Sequence, residues 1–248
     1  MAAISRSVKT VTSLFRTRPK QVGLPPGSLV HVGRQEMERP VISRVDYDPT
    51  DYRYRQEISV ADSAAEAQPG GVCWVQLDGL HDISLVETLG RLVDLHPLAL
   101  EDILNTSHQP KLEEFPQSLL IILKLLEYDQ DQQHIKAEQC SLVVSAGRLL
   151  SFREQSGDLF SPIYRRLENA SGRFRERGSD YLAYTLIDSA VDSYFHVLET
   201  IGDQLEAIEE ELITRPSEEL LQQIHQLRGQ LVFVRKAAAP LRDLVGGL

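Results

Sequence analysis

The stretch DYLAYTLIDSAVDSYFHVLETIGDQLEAIEEELI (180–213) decides the outline of this 248-residue chain. Its apolar residues recur in alternating steps of three and four positions, which is the spacing of one face of an α-helix. The series consists of Tyr184, Ile187, Val191, Tyr194, Leu198, Ile201, Leu205, Ile208 and Leu212. We therefore predict one continuous helix over 180–213, about 51 Å long at 1.5 Å per residue.

A second long helix is predicted directly after the first. Pro216 and Ser217 are helix start signals, and the apolar residues that follow again recur in steps of four and three. This series consists of Leu220, Ile224, Leu227, Leu231, Val234, Ala238 and Leu241. The two runs predict an antiparallel helical hairpin, and Pro240 should kink its second helix.

Upstream of about residue 178, strand and helix patterns alternate in an α/β manner. Alternating or continuously apolar runs predict strands at 41–48, 52–58, 72–79 and 118–128, and a hairpin at 137–154. Amphipathic runs predict helices at 83–95, after Pro97 and at 157–169, and the polar, Gly-rich segment 61–71 predicts a loop.

Three regions follow from these patterns. We predict a basic N-terminal arm at 1–22, an α/β domain at 23–177 and the helical hairpin at 178–248. The first 35 residues contain six bases and no acid, whereas 180–213 contains nine acids and no Lys or Arg. The acidic helix argues against a nucleic-acid partner and favours cations.

Several function classes lack support in the sequence. The longest apolar run, 119–126, is too short to cross a membrane and is interrupted by Lys124. Cys73 and Cys140 lie in apolar stretches and predict buried free thiols in a reducing compartment. The chain contains no GxGxxG, P-loop, HExxH, CxxC or GxSxG motif, so we do not predict an enzyme.

Four carboxylates are candidate ligands for a divalent cation. Glu101 and Asp102 lie among core-type residues in HPLALEDILN (96–105), and such charges resist burial unless they are compensated. Asp188 and Asp192 lie four residues apart on the first long helix, and the apolar surroundings of Asp188 predict partial burial. Mg²⁺ takes carboxylate and water oxygens, and the scarcity of Cys and His favours it over Zn²⁺. The alternative is that these acids are solvated or paired with Arg.

The sequence resembles the cytoplasmic region of CorA-type magnesium and cobalt transporters over 23–248, in colinear order. The matching segments are GLPPGSLVHVG (23–33), WVQLDGLHD (74–82), HPLALEDILN (96–105), QPKLEEF (109–115), KAEQCSLVVS (136–145), DYLAYTLIDSAVDSYF (180–195) and QLRGQLVFVRKAAAPLRDL (226–244). The resemblance implies an α/β/α sandwich with a mixed sheet, followed by two long antiparallel helices. The second of these is the start of a stalk helix.

The resemblance also implies partners and a location. Proteins of this type are homopentamers of identical subunits with an axial pore, and the first transmembrane helix ends in Gly-Met-Asn. This sequence contains no Gly-Met-Asn, so we expect a chain truncated before its transmembrane helices. It would be the cytoplasmic portion of an inner-membrane protein.

The resemblance assigns roles to three of the acids. Glu101, Asp102 and Asp188 match acids that line divalent-cation sites between subunits, and Asp192 is added from helix spacing alone. Without gaps, Ser107 aligns with a family histidine, and His108 follows it. The implied function is Mg²⁺ sensing and gating in a Mg²⁺/Co²⁺ channel, with bound Mg²⁺ favouring the closed state. A zinc transporter of the ZntB type and a coiled-coil scaffold without bound metal remain alternatives.

Overall fold

A computed structural model describes residues 25, 27–170 and 172–247 of the chain. The predicted basic arm at 1–22 lies outside these residues. The division into three regions therefore remains a prediction.

Seven strands form one mixed sheet. They are β1 (Val41–Tyr47), β2 (Tyr52–Arg55), β3 (Val72–Asp78), β4 (Lys111–Phe115), β5 (Ser118–Asp129), β6 (His134–Ser145) and β7 (Arg148–Arg153). The order across the sheet is β2-β1-β3-β7-β6-β5-β4. Only the central β3–β7 pair is parallel, and the other neighbours are antiparallel. The hairpin turn between β6 and β7 lies at 146–147, as predicted, and Gly147 has a φ of +70° there.

The α-helices of the described residues differ widely in length. They are α1 (Val60–Ser63), α2 (Ile83–Arg91), α3 (Pro97–Leu104), α4 (Ser161–Glu168), α5 (Ser179–Thr214) and α6 (Glu218–Val245). Helix α5 has 36 residues and α6 has 28, and α6 continues through Pro240. None of these helices is apolar enough over a sufficient length to cross a membrane.

Two hydrophobic clusters lie on the two faces of the sheet. Helices α2 and α3 pack on one face, through Val86, Leu89 and Ile103. Helices α4, α5 and α6 belong to the cluster on the other face, which contains Trp74 and Leu182. Side chains of one strand alternate between the two clusters, as the pleat of a β-strand requires. The predicted α/β/α sandwich with a mixed sheet and two long helices is confirmed.

Some local predictions are wrong. The predicted loop 61–71 begins within the short helix α1, and the predicted helix 83–95 ends at Arg91. Strand β4 was not expected, because the edge segment KLEEF is only half-buried and has no clear apolar alternation. The strand predicted at 52–58 ends at Arg55 for a similar reason, since most of it is exposed at the sheet edge.

The structure divides the apolar series of α5 into two parts. Every seventh residue from Ile187 onward is buried; these are Ile187, Tyr194, Ile201 and Ile208. Four of the five intervening residues are exposed; these are Tyr184, Leu198, Leu205 and Leu212, with exposed fractions of 58%, 40%, 37% and 37%. The fifth, Val191, is partly buried against the core. The sheet and α6 cover only one side of α5, so the buried face is centred on residues such as Leu186 and Ala190. One apolar strip of α5 is therefore uncovered by the described residues.

Candidate divalent-cation site

Helix α3 is a short element that presents two adjacent carboxylates. Pro97 occupies its first turn, and Nδ1 of His96 caps it by accepting a hydrogen bond from the Leu98 N–H at 3.2 Å. Ile103 and Leu104 are fully buried against the sheet. The helical period therefore leaves Glu101 and Asp102 at the edge of the buried face, where both are half-buried.

The carboxyl end of α3 is fixed to the sheet by buried polar side chains. Gln139 Nε2 donates hydrogen bonds to the carbonyl oxygens of Asp102 and Ile103, both at 3.2 Å. Lys124 Nζ donates to the carbonyl oxygen of Thr106 at 2.7 Å. Burial lowers the pKa of Lys124 to about 8, although the nearby Glu154 opposes this shift. These bonds satisfy carbonyl groups that a helix end leaves without partners, and they position Asp102.

Asp102 has two neighbours that can carry positive charge, Lys111 and His108. Lys111 Nζ donates a hydrogen bond to Oδ2 at 2.6 Å, and it also donates to Glu113 at 2.7 Å. His108 Nε2 lies 2.9 Å from the other oxygen, Oδ1. Burial raises the pKa of Asp102, but His108 and Lys111 outweigh this effect and the net pKa is lowered. Asp102 is therefore a stabilised carboxylate at neutral pH.

The carboxylate of Glu101 is stabilised by a backbone N–H group. Its Oε2 accepts a hydrogen bond from the backbone N–H of Gly27 at 2.8 Å, which ties the segment before β1 to α3. Glu101 and Asp102 thus have donors within one chain, and neither needs a metal ion merely to tolerate its partial burial.

The two other candidate ligands lie on α5, and both are exposed. The predicted partial burial of Asp188 is wrong: its neighbour Ile187 turns into the core, and one residue further along a helix points about 100° away. Helix α5 and helix α3 pack on opposite faces of the sheet. One chain therefore does not bring Asp188 or Asp192 together with Glu101 and Asp102. Among the described residues, no three His, Cys, Asp or Glu side chains are arranged to hold a metal ion.

The sequence did not identify His108 and Lys111 as the residues that contact Asp102. Lys111 belongs to the segment QPKLEEF, one of the motifs that the chain shares with the CorA-type family. Lys111 and Glu113 lie two residues apart, a spacing that places both side chains on one face of a strand. The closeness of Lys111 to α3 depends on the position of β4 at the sheet edge.

Comparison with known proteins identifies the family of the chain. A family model described as "CorA-like Mg2+ transporter protein" matches residues 69–248 of the chain. The chain belongs to this family. The CorA-type resemblance of the sequence is thereby confirmed.

Individual relatives are similar over most of the chain. The cobalt/magnesium transport protein CorA of Thermotoga maritima is 37% identical over 228 residues, which are 91% of this chain and 64% of that protein. This chain thus spans less than two thirds of the length of that relative. Two solved structures share the fold of this chain. The soluble domain of CorA from Methanocaldococcus jannaschii superposes with a TM-score of 0.63 at 21% identity, covering 82% of this chain and 76% of that one. The complete CorA of that organism gives 0.62 at 20% identity, covering 81% and 60%.

Proposed function

We propose that this chain is the cytoplasmic Mg²⁺-sensing and gating domain of a homopentameric channel for Mg²⁺ and Co²⁺. Family membership supports the transport class. In this proposal, Glu101, Asp102, Asp188 and Asp192 provide oxygen ligands for Mg²⁺ at contacts between subunits. Membrane attachment would depend on helices outside this sequence.

The observation that carries the proposal is the placement of the four acids on opposite sides of the sheet. A single chain cannot bring α3 and α5 to one ion, whereas two neighbouring copies can place the α3 of one beside the α5 of the next. A contact between different surfaces of identical copies produces a closed ring when the rotation closes. The proposed pentamer is a ring of this kind.

A strip on α5 supports contact with another copy. Tyr184, Leu198, Leu205 and Leu212 are exposed at seven-residue multiples on α5, and Phe195 beside them is 60% exposed. An uncovered apolar strip of this length is typical of a surface that packs against another protein segment. Asp188 and Asp192 lie beside the strip, so burial of the strip would also bring these acids close to a neighbouring subunit.

Gating follows from the electrostatics of such a contact. Two carboxylates about 5 Å apart repel by about 3 kcal/mol at an effective dielectric constant of about 20. Bound Mg²⁺ replaces this repulsion by attraction to the cation and favours the closed, symmetric assembly. When Mg²⁺ dissociates, the repulsion between the carboxylates returns and the closed assembly is no longer favoured. To change a 1:99 population ratio to 99:1, a ligand needs about a 10⁴-fold preference for one state. If each of five equivalent interfaces binds Mg²⁺ about sixfold more tightly in the closed state, the five preferences multiply to about 10⁴.

The test uses Mg²⁺-dependent self-association of this 248-residue chain. Sedimentation velocity and limited proteolysis are recorded across a Mg²⁺ titration, with EDTA to show reversal. We expect Asp102→Asn with Asp188→Asn to raise the Mg²⁺ concentration at half-maximal association at least tenfold. The matched control is Asp94→Asn with Asp203→Asn, which removes the same charge from exposed acids outside the candidate site.

The outcomes separate the three functions. An unchanged titration in the Asp102/Asp188 variant would contradict these ligands. Association driven by Zn²⁺ but not by Mg²⁺ would favour the zinc transporter alternative. Association that is indifferent to metal and to EDTA would favour the scaffold alternative.

A further inference from the structure

A cavity on the α5 face of the sheet lies apart from the carboxylates of α3. It has a volume of about 520 Å³ and lies between strands β5 and β6, the loop at 155–159 and the middle of α5. Ser193 accepts a hydrogen bond from the Leu126 N–H at 3.2 Å, which joins α5 to β5 at the cavity wall. The volume is in the range of pockets that bind small molecules.

The floor of this cavity contains a buried carboxylate with one unsatisfied oxygen. Glu138 is 8% exposed, and its Oε1 accepts hydrogen bonds from the guanidinium of Arg153. Its Oε2 has no hydrogen-bond partner among the described residues. Leaving such an oxygen without a donor costs about 1–3 kcal/mol, so a ligand that brings an N–H group would gain that free energy.

The charges around the cavity favour a cationic ligand. Four acids line it, namely Glu127, Glu138, Asp158 and Asp192, against the two bases Lys136 and Arg153. Each base already has an acidic partner: Lys136 lies 2.8 Å from Asp129, and Arg153 contacts Glu138. Asp158 and Asp192 are exposed at the rim. A positive ligand therefore meets one buried carboxylate inside and two accessible carboxylates at the mouth.

The geometry favours an extended organic cation over a metal ion. No three metal-binding side chains converge among the described residues, and a compact divalent ion at Glu138 would lie beside the positive Arg153. Ammonium groups separated by a methylene chain do not need three converging ligands, and each places a single positive charge, in place of two, beside Arg153. The cavity wall includes the apolar side chains of Leu125, Leu126 and Leu159, against which such a chain can pack.

We propose that this cavity binds a linear aliphatic diamine or polyamine. Oε2 of Glu138 is itself covered in the free structure, so in this proposal a small side-chain shift opens it to one ammonium group of the ligand. The methylene chain then packs along the leucine side chains, and a second ammonium group lies between Asp158 and Asp192 at the rim. The inference does not depend on the proposed function, since it concerns neither α3 nor a second copy of the chain. Asp192 is shared with the proposed Mg²⁺ site between subunits, whereas Glu138 belongs to the cavity alone, so variants of Glu138 separate the two proposals.

Isothermal titration calorimetry of the chain with putrescine at fixed ionic strength tests this proposal. We expect saturable binding that Glu138→Gln weakens at least tenfold and Asp192→Asn about threefold. Asp203→Asn is the matched control, because it removes an exposed acid of the same helix that does not line the cavity. Butylamine, which has one ammonium group, should bind at least fivefold more weakly than putrescine.

Three results would overturn the proposal: no saturable binding of putrescine, an equal loss of affinity in Asp203→Asn, or an unchanged affinity in Glu138→Gln. Displacement of putrescine by MgCl₂, with Mg²⁺ binding that itself depends on Glu138, would make the cavity a metal site and would also overturn it. If Glu138→Gln does not fold, Asp192→Lys is the second variant. Its added ammonium group at an exposed position must abolish putrescine binding, and retained binding refutes the proposal.

Discussion

Replacement of Lys111 by Gln tests whether Asp102 binds Mg²⁺. The ammonium group of Lys111 lies 2.6 Å from Oδ2 of Asp102, and the two side chains are 28% and 16% exposed. Coulomb's law at an effective dielectric constant of about 20 gives about 6 kcal/mol for this separation, most of which is offset by lost hydration. A hydrogen bond to a charged group contributes about 1.5–3 kcal/mol net. We expect Lys111→Gln to lower the free energy of unfolding by that amount at neutral pH.

Mg²⁺ should recover part of this loss if it binds to Asp102. A cation at Asp102 competes with Lys111 in the native chain, and this competition is absent in the variant. We therefore expect the gain in stability upon Mg²⁺ addition to be about 1 kcal/mol larger in Lys111→Gln, equivalent to about fivefold tighter binding. Urea unfolding with and without Mg²⁺, followed by fluorescence of the single tryptophan, buried Trp74, measures this difference.

A matched variant and a double variant complete the experiment. Lys136→Gln also removes a lysine that pairs with an aspartate at 2.8 Å, but this lysine lies on β6, away from α3. Its Mg²⁺ response should equal that of the native chain. Adding Asp102→Asn to Lys111→Gln should abolish the extra response. Identical Mg²⁺ responses in all of these proteins would refute Asp102 as a ligand.

Two further predictions concern the stability of the fold. Gly90→Ala places a Cβ 2.5 Å from Cδ2 of buried Leu100, between α2 and α3, and should destabilise the chain by about 1–3 kcal/mol. In Gly202→Ala on α5, the added Cβ has no atom within 4 Å, and the variant should be more stable than the native chain by up to about 1 kcal/mol. Equal melting temperatures of the two variants would contradict this reasoning. Burial raises the pKa of Glu138 to about 7; Arg153 opposes this shift, and Glu154 and Asp78 add to it. The folded state therefore holds this proton more tightly than the unfolded state, and the contribution of Glu138 to stability falls by about 3 kcal/mol as the pH rises from about 4.5 to 7. In Glu138→Gln, the free energy of unfolding should change less between pH 5 and 7 than in the native chain. If the urea midpoints of this variant keep the native pH dependence, the raised pKa of Glu138 is contradicted.

Much of the fold could be predicted because local periodicity indicates whether a segment forms a helix or a strand and about where it begins and ends. Steps of three and four residues identified α5 and α6, and the observed limits Ser179–Thr214 and Glu218–Val245 lie close to the predicted ones. Long apolar or alternating runs likewise identified β5 and the β6–β7 hairpin. Edge strand β4 escaped prediction because an edge strand is only partly buried and its apolar pattern is weak.

The candidate site was predictable only in part. Adjacent carboxylates within an apolar segment indicated Glu101 and Asp102, and family motifs indicated Asp188. These assignments remain predictions. The partners of Asp102 could not be deduced, because Lys111 approaches α3 only after β4 has joined the sheet edge. The exposure of Asp188 also depends on which side of α5 faces the sheet, and periodicity does not distinguish a face covered by the same chain from one left uncovered.

The sequence by itself determined the class of the fold, the two long helices, the family and the carboxylates worth testing, because these depend on local spacing and short motifs. The tertiary structure alone decided which contacts those residues make. It placed α3 and α5 on opposite faces of one sheet, paired Asp102 with Lys111, and left one oxygen of Glu138 without a donor beside a cavity. Such contacts join residues of different helices and strands, and their geometry is set by the way those elements pack on the sheet and not by the local sequence.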